Sequence, residues 1–251
     1  MSIYETEALL HQYLLFHYGT PEETLPWEFG PHSALRFPRR IVSETFGPFP
    51  ANARALDLGC AVGGSSFELA RHCQEVVGID FSQSFIDACH RLQVHGRLDY
   101  DRCGEGDLVT RLSASVPPEI DRSRVRFEVG DAMELREDLG QFDAVLVANL
   151  LCRLPEPRRC LRRLTELVAP GGQLVISTPS SWMEAFTPRE HWLGGFERNG
   201  AMVATLDGVR EHLEPAFELV RTLDLPFLIR EHARKFQWCV PQVSVWRKFP
   251  A

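Results

Sequence analysis

The stretch Ala55-Leu56-Asp57-Leu58-Gly59-Cys60-Ala61-Val62-Gly63-Gly64-Ser65-Ser66-Phe67-Glu68-Leu69-Ala70, continued by Val76-Val77-Gly78-Ile79-Asp80, decides the fold. An apolar run ending at Leu58 reads as a buried strand. Gly59 and Gly63 permit a sharp turn and a close approach of backbone to ligand, and Ser65 and Ser66 suit the start of a helix whose free N–H groups favour electronegative atoms. A second apolar strand ends in Asp80, 21 residues after Gly59, where an acid can accept hydrogen bonds from ribose hydroxyls. This is the outline of a nucleotide-binding βαβ unit. The dinucleotide fingerprint wants glycine at its first, third and sixth places; Ala61 holds the third, which counts against a nicotinamide or flavin cofactor.

The same residues resemble the acid-x-Gly-x-Gly-x-Gly turn of class I S-adenosylmethionine-dependent methyltransferases, with Ala61 in the middle, and the downstream segments follow that family in order. Val125–Ala132 looks like its third strand, where the terminal Gly130-Asp131 holds the adenine amino group. Phe142–Asn149 looks like the fourth strand, and Val168–Ser177 like the turn and fifth strand, with Pro170-Gly171-Gly172 restarting an apolar run after a helix. The expected fold is therefore α/β: Rossmann-like, with a seven-stranded, mostly parallel sheet and an N-terminal helical cap. S-adenosyl-L-methionine is the expected cofactor.

Composition fits that reading. The chain has 251 residues, 44% hydrophobic and 24% charged, enough to bury one large core. Its 7 cysteines are scattered and never form Cys-x-x-Cys, so neither a disulfide framework nor a metal site is expected, and the compartment should be reducing and cytoplasmic. The N-terminus lacks a basic region and an apolar core, and the longest apolar runs fall far short of the ~20 residues that span a bilayer. A formal net charge of -7 argues against a nucleic-acid partner. Arg158-Arg159 and Arg162-Arg163 read as the solvated face of a helix.

Residues 1–52 form a cap and wrapping segment in this reading, and 53–251 the cofactor-binding core, with a surface insertion at 95–123. Leu9, Leu10, Tyr13, Leu14 and Tyr18 lay an apolar face along a helix that Gly19 stops; six prolines between 20 and 50 leave room only for a short helix near Phe37 to Phe46. After the fifth strand, Trp182, Phe186, Trp192 and Phe196 lie among charged residues, in the segment expected over the strand ends where open α/β sheets bind ligands.

Across nearly its whole length the chain also resembles a narrower family, the mercaptohistidine N-methyltransferases of ovothiol biosynthesis, found alone or as the C-terminal domain of the sulfoxide synthase. The resemblance is carried by Tyr4-Glu5, Phe16-His17-Tyr18-Gly19, Phe37-Pro38-Arg39-Arg40, the 57–63 turn, Ser65–Leu69, Gly78–Ser82, Ala148-Asn149-Leu150, Trp192–Gly195 and Ile229–Trp238. Two positions depart from it: Gly64 stands where arginine is expected, and Leu151-Cys152-Arg153 replaces an acid-containing Asn-Leu-x-Asp-Arg run.

The resemblance implies transfer of a sulfonium methyl to a ring nitrogen of 5-thiohistidine, and a functional link to a sulfoxide synthase. It implies cofactor contacts from Asp57, Gly59, Cys60, Ala61, Gly63, Ser65, Asp80, Phe81, Ser82, Asp131, Ala132 and Asn149. His17, Tyr18 and Asn149 are the candidates for fixing the imidazole tautomer or taking its proton. An amino-acid substrate adds a carboxylate, suited to Arg39 or Arg230, and an ammonium, suited to Glu5 or Glu231, with Tyr18 and Trp182 beside it. The alternatives are a methyltransferase for another small imidazole, thiol or selenol, and a non-catalytic cofactor-binding subunit.

Overall fold

A computed structural model describes residues 3–250. Seven strands form the central sheet: β1 (Arg54–Leu58), β2 (Glu75–Asp80), β5 (Val125–Val129), β6 (Phe142–Ala148), β7 (Val168–Thr178), β10 (Phe217–Asp224) and β13 (Gln242–Lys248). Their spatial order is β10-β13-β7-β6-β1-β2-β5. All run parallel except β13, which is antiparallel to both β7 and β10. This is the Rossmann-like methyltransferase sheet.

The apolar runs become central strands because both faces of the sheet are covered. Ala55, Leu146 and Val175 point to a layer containing helices α4 (Gly64–Leu69) and α5 (Gln83–His95). Leu56, Leu58, Val145 and Val147 point the other way, to α6 (Pro157–Leu167) and α7 (Thr205–Leu213). On α6, Pro157, Cys160, Leu161, Leu164 and Leu167 make the buried stripe, while its arginines lie on the outer side. Pro170-Gly171-Gly172 does not delay β7. Phe142 pairs with Val168 and Ala144 with Gln173, so residues 169–172 bulge out of a strand that has already begun.

Around the cofactor-binding end lies a second assembly. It comprises α1 (Glu7–Tyr18), α2 (Pro21–Thr24), α3 (Phe37–Ser43) and two antiparallel hairpins, β3 (Arg97–Cys103) with β4 (Val109–Ser115), and β11 (Phe227–His232) with β12 (Lys235–Cys239). A third, short hairpin pairs β8 (Phe196–Arg198) with β9 (Ala201–Val203). Thr6 caps α1, accepting from the Leu9 N–H at 3.4 Å, and the Gly19 N–H closes its other end on the Leu15 carbonyl at 2.9 Å. Helix α1 packs on β11, β3 and α4. Leu14 and Leu15 are therefore both buried, and Leu9, Leu10, Tyr13, Phe16 and Tyr18 pack against the same core. The single apolar face expected of this helix is in fact a nearly complete apolar girdle. The two hairpins meet where the Ala233 N–H donates to the Gly104 carbonyl at 2.9 Å. No helix among the described residues is long and apolar enough to cross a membrane.

Candidate active site

The turn after β1 is built by backbone. The Gly59 and Cys60 N–H groups both donate to the Ile79 carbonyl, at 2.8 and 3.1 Å, which ties the turn to the end of β2. Ala61 takes a positive φ of 48° and Gly63 one of 81°. Ala61 thus occupies the left-handed conformation at some cost, and its N–H donates to Asp80 Oδ2 at 2.8 Å. The Ser82 N–H donates to the other oxygen at 2.9 Å. Burial pushes the Asp80 carboxyl up, and these two donors oppose that shift. A partly buried carboxylate held by two backbone donors, with lone pairs to spare, suits a ribose diol. Gly63 must remain glycine, since a Cβ there would sit 2.8 Å from the Phe127 ring.

Asp57 is turned away from this mouth. It is buried and accepts from Ser66 Oγ at 2.6 Å, bracing β1 to α4, and burial with the nearby charge of Asp80 pushes its carboxyl up to about 7. Ser65 and Ser82, expected at the cofactor, are spent elsewhere. Ser65 Oγ donates to the Pro38 carbonyl at 3.0 Å; Ser82 caps α5 by accepting from the Phe85 N–H at 3.2 Å. Phe81 is 65% exposed at the rim, and Asp131 and Ala132 follow β5, with Asp131 Oδ1 accepting from the Met133 N–H at 2.8 Å. Asn149, at the end of β6, has φ 55°; its N–H donates to the Ser177 carbonyl at 2.9 Å and its Oδ1 accepts from Ser177 Oγ at 3.0 Å.

The cap residues correct several sequence expectations. His17 Nδ1 accepts from the Gly64 N–H at 3.1 Å, and desolvation lowers its pKa to about 3, so the ring is neutral and too weak a base to take an imidazole proton. Gly64 belongs to that contact, because a Cβ there would lie 2.6 Å from His17 Nδ1. The arginine expected at Gly64 is excluded while His17 keeps this position. The Tyr18 hydroxyl donates to the Val62 carbonyl at 2.7 Å and burial drives its pKa up, so it holds the cofactor turn rather than an acceptor.

Each of the four charged substrate candidates has a partner within the protein. Glu5 accepts from the Gln83 and Ser84 N–H groups at 3.1 and 3.3 Å, capping α5. Arg39, with its side chain 60% exposed, faces Glu68 at 3.8 Å. Arg230 Nη1 donates to the Glu23 carbonyl, and Glu231 pairs with Lys235 at 2.6 Å. Trp182 stays at the strand-five exit, donating to Thr205 Oγ1 at 2.9 Å and stacking on Trp192.

Sequence reasoning did not single out Arg153, which lies beside Tyr4. Arg153 donates to the carbonyls of Cys152 and Ser181 at 3.0 and 3.1 Å, and also hydrogen-bonds Tyr4. Its guanidinium lies 4.9 Å from the Phe186 ring centre. Asp80 and Arg153 both act electrostatically on the Tyr4 and Tyr13 phenols. Burial raises both phenols, and for Tyr4 the Arg153 charge opposes the rise. Arg153 has no carboxylate within ion-pairing distance among the described residues. The available signal was the altered 149–153 run, where arginine is kept and cysteine replaces the acid.

The residues present fit S-adenosylmethionine: a glycine cradle that side chains would fill, a partly buried acid at the end of β2, and a second acid after β5. Comparison with known proteins agrees. Residues 30–221 match the family described as "Methyltransferase domain". The chain is 28% identical over 133 residues to a ubiquinone biosynthesis O-methyltransferase of Coxiella burnetii, covering 52% of this chain and 45% of that protein. It is 30% identical over 137 residues to one of Xanthomonas oryzae pv. oryzae, covering 54% and 47%. It thus spans about half the length of these curated relatives. Among solved structures, the [4+2]-cyclase SpnF superposes with a TM-score of 0.61 at 17% identity, covering 99% of this chain and 95% of that one. The N-methyltransferase NodS of Bradyrhizobium japonicum WM9, in complex with S-adenosyl-L-homocysteine, gives 0.53 at 17%, covering 95% and 98%. At such identity the likeness carries the fold alone. The matched family and the sheet order together establish that this chain belongs to the class I S-adenosylmethionine-dependent methyltransferases.

Proposed function

We propose that the protein methylates a ring nitrogen of 5-thiohistidine, as in ovothiol-type biosynthesis. The reading rests on the segments that resemble the mercaptohistidine family, and one observation supports it above the rest. Arg153, which has no carboxylate within ion-pairing distance among the described residues, hydrogen-bonds Tyr4, whose phenol also feels the charge of Asp80, and the carboxylate of an amino-acid acceptor can pair with it.

When bound, S-adenosylmethionine supplies an electrophilic methyl on a sulfonium centre. Charge is dispersed rather than created in such a transfer, so positioning supplies most of the catalysis. Asp80 and the 59–63 turn fix the donor side. Arg153 holds the carboxylate. Asn149, its Oδ1 engaged by Ser177, keeps its amide N–H group for the acceptor. His17 is too weakly basic to remove a proton, so the ring nitrogen reacts through the lone pair it already presents, and tautomer selection replaces base catalysis.

Thiohistidine carries a sulfur more nucleophilic than the nitrogen, so regiochemistry tests the holding directly. Incubation with S-adenosylmethionine and 5-thiohistidine, read by fragment mass spectrometry, should give the N-methyl product, with histidine a poor acceptor. Arg153→Gln should raise KM about tenfold to hundredfold, the loss of a charged contact worth ~1.5–3 kcal/mol, and increase the S-methyl fraction. Turnover of a phenol or a simple thiol with none of thiohistidine would overturn the assignment.

A further inference from the structure

The motif Ile229–Trp238 contributes an arginine that the site does not use. Along β11, Phe227 and Ile229 face the main core, whereas Leu228 packs with Leu25, Ala34 and Leu35, and Phe236 and Trp27 pack against that separate cluster. Arg230 follows the Leu228 side of the strand and lies 5.9 Å from the Phe236 ring centre. It is 7% exposed. From the neighbouring hairpin Arg102 reaches the same spot, and both Nη1 groups donate to one acceptor, the Glu23 carbonyl, each at 2.9 Å.

Two guanidiniums therefore share one neutral carbonyl oxygen, and Arg102 Nη2 adds only a long contact to Thr110 Oγ1 at 3.4 Å. The Nε–H groups of Arg102 and Arg230 are both buried without a hydrogen-bond partner among the described residues. Nearby carboxylates are committed elsewhere: Glu23 to the Thr20 N–H at 2.8 Å, Asp101 to Arg111 at 3.1 Å, and Glu231 to Lys235 at 2.6 Å. A buried charge left unpaired is costly, and a like-charged neighbour adds to the cost. Opposite charge is the missing component.

We infer that Arg102 and Arg230 form an oxyanion-binding site, separate from the methyl-transfer site and suited to a phosphate or carboxylate group on a small molecule. Planar forks match such oxyanions, and the two free Nε–H groups supply donors. Trp27 and Phe236, with ring centres 5.7 Å apart, wall one side, and Arg234, 6.0 Å from the Trp27 ring centre, adds a third positive charge there. Arg102, on a partly exposed hairpin, provides the entrance.

Thermal unfolding of the full chain tests this, with inorganic phosphate, acetate or chloride titrated at constant ionic strength. The expected result is a saturable rise in Tm with phosphate or acetate and none with chloride. Phosphate alone would mark a phosphorylated ligand, and an equal acetate response a carboxylate. Arg102→Gln should weaken the apparent Kd at least about tenfold, and because Arg102 is only partly buried the variant keeps its fold. Arg230→Lys, which retains charge but not the fork, should weaken it less. Chloride matching phosphate, an unchanged response in Arg102→Gln, or displacement of the anion by thiohistidine would each overturn the proposal, the last by merging this site with the acceptor pocket. The readout is independent of methyl transfer, so it stands or falls apart from the acceptor assignment.

Discussion

The cofactor half and the cap half of this molecule are held together in opposite ways. In the cofactor half, the contacts that shape the site are short in sequence and made largely by backbone: Gly59 and Cys60 to Ile79, Ala61 to Asp80, Ser82 to Asp80. In the cap half, single side chains reach far along the chain: Tyr18 to Val62, His17 to Gly64, Ser65 to Pro38, Gln12 to Arg230. Backbone geometry tolerates most substitutions outside its glycines. A cap fixed by individual side chains can be re-tuned by single changes.

The strongest way to break this contrast is to remove residues 1–19. Leu14 and Leu15 are core residues, 1% and 2% exposed, and each truncation of such a leucine costs about 2–5 kcal/mol. Loss of the helix should exceed the total stability of a domain. The shortened chain should lack a cooperative melting transition in calorimetry; a folded product with intact cofactor affinity would show the halves to be independent. Next in size is Gly63→Val. It adds a left-handed penalty of about 1–2 kcal/mol to an overpacking cost of about 1–3 kcal/mol against Phe127, so Tm should fall and S-adenosylmethionine binding be lost by titration calorimetry.

Asp80→Ala sharpens the picture, because it should leave the cap in place while weakening cofactor affinity roughly tenfold to hundredfold, the equivalent of ~1.5–3 kcal/mol. Unchanged affinity would move the ribose contact elsewhere.

A pH series separates the halves by the sign of the effect. Asp57 in the cofactor half has a folded pKa raised to about 7 from 3.8, so the folded state holds the extra proton and this group's contribution to stability falls as pH rises from about 4 to 7. His17 in the cap has its pKa lowered to about 3 from 6.5; its neutral form is favoured by folding, so stability is lost as pH falls from about 6.5 towards 3. Melting curves against pH should therefore show Asp57→Asn gaining relative stability at pH 8 and His17→Gln flattening the acid limb. Parallel pH profiles for the two variants would contradict the opposed signs.

This division also explains what was legible in the sequence. The sheet, the turn and Asp80 could be read because apolar runs, glycines and a terminal acid act locally, through strand propensity and backbone freedom. The destinations of polar side chains could not. Ser65, Glu5, His17 and Arg230 are residue types suited to a ligand, yet each found a backbone partner supplied by a segment 27 to 207 residues away. At Arg153 the sequence showed the loss of an acid in the 151–153 run, but not that the arginine would reach Tyr4, about 150 residues away.

The position of β13 has a consequence for how the chain acquires its structure. Strand β13 is the last in sequence, yet it lies between β7 and β10 and buries Trp246 completely. Until residues 242–248 have left the ribosome, β10 has no neighbour in the sheet and β7 offers an open edge. Sheet closure is thus a late, non-local event, of the kind that slows folding and exposes intermediates to aggregation. Synthesis rate and chaperone supply, rather than the early βαβ unit, should govern the yield of active protein.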